Sequence, residues 1–240
     1  MTLPGPPAGG ATFTREEIQT LATAGIQAPS ADNRHGVRFE ATADAIYVVA
    51  TAESLQPMPE HRRAFLEFSV GAIAENMRLE AARLSLSCNV QTSNAWPHDG
   101  RMATLQLVAR DGGKPEPIGE ALFDRHTNRR LYRRARVPPP DLARLASAID
   151  TPGVAVRWLD HPDERRIALR LIRIAEAERF RRPKLHRELF DAIRFDVGWE
   201  ASCESGLPPG ALEVEPPLRG AFRMLRHWPL QRVLNAAGAA

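Results

Sequence analysis

The chain has 240 residues, of which 43% are hydrophobic and 25% are charged, and its formal net charge is +3. These proportions are ordinary for a folded protein and exclude global disorder. No apolar run approaches the roughly 20 residues that a membrane-spanning helix needs. Cys88 and Cys203 form neither a Cys-x-x-Cys pair nor a zinc pattern. We therefore expect a cytoplasmic protein with no membrane partner and no bound metal.

The beginning of the chain predicts a leader rather than a folded element. Residues 1–12 are rich in Pro and Gly and lack the apolar stretch of a signal peptide. The folded part is therefore expected at 13–240, a length that suits one compact unit because domains average about 100 to 200 residues.

Helices and strands alternate in the first half. Residues 14–17, Thr-Arg-Glu-Glu, have the form of a capping box and predict a short helix that ends in the loop at 28–33. Residues 44–50 and 104–109 are rich in β-branched or alternating apolar residues and predict two strands. Between them, apolar residues three to four positions apart predict a long core helix over 60–86.

The second half is predicted to repeat this layout, after a turn-rich separator at 110–117. Its predicted elements are, in order, a helix at 119–134, a short helix at 141–149, a strand at 154–159, a helix that Pro162 begins, a short helix at 184–194 and a basic helical tail at 218–238 that Pro229 interrupts. The succession favours two similar halves, at about 13–118 and 119–240.

The strongest chemical feature is the run from Arg125 to Arg136, which holds six arginines and no acidic residue. We predict that Arg125, Thr127 and Arg129 converge from the first turns of a helix, where guanidinium and hydroxyl groups can donate to phosphate oxygens. The alternative is a helix face that carries its charge into solvent, and for an arbitrary arginine cluster this alternative is the commoner one.

A second candidate is the loop at 29–34, Pro-Ser-Ala-Asp-Asn-Arg. Amide and hydroxyl side chains on a loop that follows a helix suit recognition of a polar ligand edge. Such residues also cap the element that follows them, which is their ordinary structural role. The loop alone does not distinguish ligand recognition from capping of the next element.

Three segments resemble, in the same order, motifs of the nitroreductase superfamily, and specifically of its long single-chain flavin-binding branch. Residues 28–33 are similar to the APSxxNxQPW loop, residues 71–79 to the GAxxENxxLAAxxLG helix, and residues 125–130 to the RxTNR segment. The resemblance spans most of residues 14–200.

The resemblance implies an α+β fold with a central antiparallel or mixed sheet flanked by helices, and a pseudo-dimeric layout in which FMN lies between two halves. It implies that Arg125, Thr127 and Arg129 bind the FMN phosphate, and that Ser30 and Asn33 face the flavin or its ribityl chain. No catalytic side chain is implied, because NAD(P)H passes a hydride to the flavin, which reduces a small nitroaromatic or quinone.

The chain departs from this family in two places. His35-Gly36-Val37 stands where the family has Gln-Pro-Trp, which removes an aromatic wall, although His35 can donate a hydrogen bond to the flavin. Long members continue past the position that matches Ala240, so we expect an incomplete second half. The departures favour, as an alternative, a protein that binds and sequesters FMN without turnover.

Two questions about partners stay open. The small residues of the 60–86 helix would allow the close backbone approach of a homodimer, and an ordinary helix in a monomer explains them equally well. The Arg125–Arg136 run also suggests a basic nucleic-acid-binding protein. The sequence disfavours this alternative, because it has no interleaved stacking aromatics and no helix-turn-helix or zinc pattern.

Overall fold

The computed structural model describes residues 11–93, 99–130, 133, 135–149, 151 and 153–238. Most of the expected leader, and Arg134 of the arginine run, lie outside the described residues. The chain divides into two compact units. Unit 1 is Met1–Thr127 with Glu204–Gly206, and unit 2 is Asn128–Cys203 with Leu207–Ala240. None of the described helices combines the length and the apolar character required to cross a membrane.

Unit 1 combines helices with one sheet. Its elements are α1 (Arg15–Ile26), β1 (Val37–Ala41), β2 (Ala45–Ala50), α2 (Glu60–Arg83), β3 (Ser87–Thr92), β4 (Arg101–Ala109) and α3 (Pro117–Glu120). The four strands pair antiparallel in the order β1-β2-β4-β3. The α+β class and the central antiparallel sheet that the resemblance implies are found in unit 1.

Local signals fixed the ends of several elements correctly. The Thr14 hydroxyl accepts from the Glu17 backbone N–H at 3.2 Å, and the Glu17 carboxylate accepts from the Thr14 N–H at 2.7 Å, so the capping box begins α1. The predictions of α2, β2 and β4 are confirmed within a few residues. β1 and β3 are additional strands that the sequence did not predict.

One hydrophobic core joins α1 and α2 to the sheet. Leu21, Ile73, Met77, Val48 and Leu105 are members of this core, and each is at most 2% exposed. Burial of such side chains contributes about 1.5 to 3 kcal/mol each, which makes this core the main source of stability in unit 1.

The two helices approach closely because small and polar residues meet between them. A Cβ placed on Gly25 of α1 would come within 3.1 Å of both Met77 and Phe39. The Asn76 amide of α2 donates to the carbonyl of Ala24 in α1 at 3.0 Å. The asparagine of the family-like helix motif therefore fixes the position of α1 on α2.

Unit 2 is helical in its described part. Its helices are α4 (Pro139–Ser147), α5 (Pro162–Arg181), α6 (Pro183–Asp191), α7 (Arg219–Leu225) and α8 (Trp228–Ala236). Pro162 begins α5, and Pro229 stands at the start of α8, as the sequence predicts. The His186 ring packs against Phe190 and Trp228 and bonds to the Leu225 carbonyl at 2.8 Å, which joins α6, α7 and α8.

Two predictions for the second half are wrong. The helix expected at 119–134 ends at Glu120, and residues 125–129 are irregular. Successive arginines without acids three or four positions away offer a helix no stabilising side-chain pairs. The strand expected at 154–159 does not form. A strand needs a neighbour, and the described part of unit 2 contains a single β-bridge, Ile193 with Leu207. The repeated layout is therefore not found there.

The environment of Cys88 on β3 makes it an unreactive thiol. Burial, with a smaller contribution from the charge of Glu17, raises the pKa of Cys88 to about 11. Because the thiolate is the reactive form, we expect Cys88 to react with iodoacetamide much more slowly in the folded protein than in urea near pH 8. Peptide mass spectrometry measures this, and equal rates in both states would contradict it.

The same shift predicts a pH dependence of stability. The folded state holds the Cys88 proton more tightly than the unfolded chain does. The contribution of this proton to the free energy of unfolding is therefore complete below pH 9 and declines as the pH rises from 9 towards 11. The Cys88→Ala variant is the control. Its free energy of unfolding, measured by chemical unfolding, lacks the decline at high pH that comes from Cys88.

Candidate functional site

The loop between α1 and β1 is built by residues that tolerate unusual backbone geometry. Asp32 and Asn33 have φ angles of 56° and 55°, in the left-handed region where Asp and Asn are enriched. The Asn33 amide donates to the Gly206 carbonyl at 3.0 Å, and the Gly206 N–H donates to the Asn33 carbonyl at 3.2 Å. This exchange attaches residues 204–206 to unit 1 and makes Asn33 a structural residue there.

Ser30 lies in the same loop and is unusual among the described residues. Its hydroxyl oxygen is inaccessible to solvent and has no hydrogen-bond partner in the described part of the chain. Leaving a buried polar group unsatisfied costs about 1 to 3 kcal/mol. Such a group calls for a physical explanation, and a water, an ion or a ligand that completes its hydrogen bonding is one.

The backbone at Gly36 would not accept a proline. Gly36 has a φ of +65°, and a Cβ there would lie 2.6 Å from the Ser54 hydroxyl. Proline fixes φ near −65° and cannot adopt this turn. Val37 then begins β1. The preceding His35 bonds through Nε2 to the Ala28 carbonyl at 3.2 Å, which closes the loop.

Arg125 lies against the end of α1. Its guanidinium donates to the carbonyl of Gln27, the C-terminal cap of α1, at 3.0 Å. A cation is favourable at this end of a helix because the helix dipole is negative there. Arg125 and His35 thus bond to the adjacent carbonyls of Gln27 and Ala28, in the loop that holds Ser30.

The helix from which the predicted phosphate cradle was expected to form is absent at residues 125–129. Residues 125–129 are not helical, so Arg125, Thr127 and Arg129 do not converge from the turns of a helix. Arg125 and the exposed Thr127 belong to unit 1, whereas Arg129 belongs to unit 2. The structure therefore brings Ser30, Asn33, His35 and Arg125 together in one unit and assigns Arg129 to the other.

Within unit 2, Arg129 and Arg130 hold a carboxylate. The Arg129 N–H donates to Glu213, the Arg130 Nε donates to the same carboxylate at 3.1 Å, and the Arg129 Nη1 donates to the Ala211 carbonyl at 2.9 Å. The Arg129 N–H is the largest cause that lowers the pKa of Glu213, and the charge of Arg130 adds to it. Sequence reasoning missed Glu213, because nothing near it indicates a partner more than 80 positions away.

A groove of about 500 Å³ lies beside this carboxylate in unit 2. Its lining includes Arg130, Trp199, Glu213, Glu215 and Arg219. The Arg219 guanidinium stands 4.8 Å from the centre of the Trp199 ring, a cation–π distance. Among the described residues, no three His, Cys, Asp or Glu side chains are grouped to hold a metal ion.

Comparisons with known proteins show distant similarities. No protein-family model matches the chain. The chain is 25% identical over 215 residues to an uncharacterized protein of Mycobacterium tuberculosis, and the match covers 86% of the chain and 28% of that protein's length. A solved structure of a "Putative NADH Oxidase" from Clostridium acetobutylicum is similar with a TM-score of 0.35 and 21% identity, over 45% of this chain and 81% of that one. A TM-score this low establishes neither fold nor function.

Proposed function

We propose that the chain is an FMN-dependent oxidoreductase of nitroreductase type, which uses NAD(P)H to reduce a nitroaromatic, a quinone or a similar small acceptor. The observation that carries the proposal is the buried, unpartnered hydroxyl of Ser30. It lies in the loop whose sequence resembles the flavin-contacting loop of that family. When bound, the flavin supplies the hydride chemistry, and the protein supplies position and electrostatics.

The loop residues are chemically suited to a flavin. The Ser30 hydroxyl can both donate and accept, which matches a ring edge that carries carbonyl and N–H groups. With Nε2 of His35 donating to the Ala28 carbonyl, a neutral His35 ring offers Nδ1 as an acceptor. Asn33 keeps the loop in its left-handed turn, so its contribution is to position Ser30.

From the family resemblance alone, we propose that Arg125, Thr127 and Arg129 bind the phosphate of FMN. Among the described residues, the Arg125 guanidinium donates to the Gln27 carbonyl, and its other N–H donors suit phosphate oxygens. Thr127 is exposed and carries a hydroxyl donor. Arg129 adds a second positive charge, which favours an anion with a charge between about −1.5 and −2.

The test compares FMN with riboflavin, which lacks only the phosphate. Titrated into the purified chain, FMN is expected to bind at least about tenfold more tightly than riboflavin, because charge-assisted hydrogen bonds contribute about 1.5 to 3 kcal/mol. The change in the visible flavin absorption reports binding. A chain that takes up neither compound would overturn the proposal.

A second candidate is a protein that sequesters FMN without turnover. It is favoured by Gly36, whose φ of +65° a proline cannot adopt, and by Val37, which lacks the aromatic ring of the family's Trp. Anaerobic addition of NADH or NADPH to the FMN-loaded protein separates the two. Bleaching of the flavin absorption selects the oxidoreductase, and tight binding without bleaching selects the sequestering protein.

We also propose that the chain forms a homodimer, an alternative to a monomer that the sequence leaves open. Phe65 and Phe68 of α2 are 53% and 75% exposed, and a Cβ on Gly71 would meet nothing within 4 Å. An exposed aromatic and small-residue face on a central helix supports close packing against a second copy. The cytoplasmic location, like the identity of the acceptor, stays a prediction from the sequence.

A further inference from the structure

The arginine-rich segment already binds an anion, and that anion belongs to the chain itself. The Glu213 carboxylate receives the backbone N–H of Arg129 through one oxygen and the guanidinium of Arg130 through the other. A backbone N–H and an adjacent guanidinium are also the donors that a phosphate group uses. Glu213 therefore occupies the contacts that a phosphate would need at this end of the segment.

Glu213 is held there in an unfavourable backbone conformation. It follows the short turn Pro209–Leu212 and has a φ of +52°, in the left-handed region. Glycine and asparagine adopt this region readily, whereas a glutamate there is uncommon. The carboxylate contact is therefore made from a backbone conformation that glutamate adopts infrequently.

The carboxylate also has space beside it. The groove of about 500 Å³ is lined by Glu213 together with Arg130, Trp199 and Arg219. The Glu213 side chain is 22% exposed, and that of Arg130 is 77% exposed. A ligand can therefore approach the pair from solvent.

We propose that Glu213 is an internal competitor that closes an anion site formed by the Arg129 N–H and the Arg130 guanidinium, and that a phosphate group displaces it. Phosphate carries more charge than a carboxylate and has three acceptor oxygens, so it wins the exchange at sufficient concentration. The phosphate can come from free inorganic phosphate or from a phosphate monoester. The version of this exchange in which FMN supplies the phosphate rests on the proposed function, since there Arg129 binds the FMN phosphate.

The experiment follows the Arg129 amide by NMR while inorganic phosphate is added to the full chain. The wild type is compared with Glu213→Gln, which keeps the size and removes the charge. The control is Glu215→Gln, which removes the same charge from the lining of the same groove. The half-saturating phosphate concentration is expected to fall roughly five- to tenfold in Glu213→Gln and to stay near the wild-type value in Glu215→Gln.

Equal midpoints in the two variants, or an Arg129 amide that phosphate moves in none of the proteins, would overturn the inference. Glu213→Asn provides a second charge-free variant that suits the left-handed backbone, and it must give the same direction as Glu213→Gln. If either variant is poorly folded, the other decides.

Repeating the titration with FMN and riboflavin separates this inference from the proposed function. If inorganic phosphate gives the expected shift and neither flavin binds, the carboxylate exchange stands and the flavin proposal fails. If FMN binds while the Arg129 amide is unmoved in wild type and in Glu213→Gln, FMN binding stands, but the exchange and the role of Arg129 as a ligand of the FMN phosphate are both wrong. An FMN midpoint that falls in Glu213→Gln, with riboflavin unaffected, supports both.

Discussion

An Ile73→Ala substitution in α2 is expected to lower the free energy of unfolding of unit 1 by about 3 kcal/mol, within the range of 2 to 5 kcal/mol for such changes. Ile73 has no exposed surface and belongs to the core that joins α1, α2 and the sheet. Its Cγ2 would lie 3.3 Å from a Cβ placed on Gly25, so α1 already approaches it closely. The helix cannot move much further inward, and a cavity would remain.

Hydrogen exchange of the β2 and β4 amides measures this loss specifically in unit 1. Ile118→Ala is the matched control, because Ile118 lies in α3 of the same unit and is 63% exposed. We expect the control to change the unfolding free energy by less than about 0.5 kcal/mol. Similar losses in the two variants would mean that Ile73 is not a central core residue.

The parts of the fold that could be predicted are those with local signals. The capping box begins α1, helical spacing of apolar residues marks α2, and β-branched runs mark β2 and β4. β1 gave no such signal, because it is an edge strand whose Arg38 and Glu40 side chains form an exposed ion pair. It is defined by its pairing with β2, which sequence patterns do not encode.

The incorrectly predicted elements had the opposite problem: local sequence signals were present, but the described part of the chain offers no neighbouring element that would stabilise them. Residues 154–159, Val-Ala-Val-Arg-Trp-Leu, have the composition of a strand, and no strand in the described part of unit 2 lies beside them. The arginine run has no acidic residue with which its own helix would be stabilised. Its Arg130 instead pairs with Glu213, more than 80 positions away.

Only the part of the candidate site that carries local signals could be predicted. The Ser30 loop follows from its turn residues and from the family resemblance. The contact of Arg125 with Gln27, and that of Asn33 with Gly206, join positions 98 and 173 residues apart. Only the folded chain brings such residues together, so their structural roles were not visible in the sequence.

Replacing Ser30 by Ala is expected to act in opposite directions on stability and on FMN binding. Without a ligand, the variant loses a buried hydroxyl that has no partner among the described residues, so its free energy of unfolding should rise by about 1 kcal/mol. With FMN, the variant loses a hydrogen bond to the ligand, so the Kd should increase about tenfold. Urea unfolding without FMN and a flavin titration measure the two effects.

The opposite signs distinguish a binding residue from a structural one. In the control Ser69→Ala, the lost hydroxyl is also buried, but it donates to the Phe65 carbonyl at 2.8 Å. That variant should be destabilised by about 0.5 to 1.5 kcal/mol and should bind FMN as the wild type does. If Ser30→Ala instead behaves like Ser69→Ala, then the Ser30 hydroxyl stabilises the loop. The flavin proposal would then lose the observation that carries it, because a hydroxyl that stabilises the ligand-free fold is not waiting for a ligand.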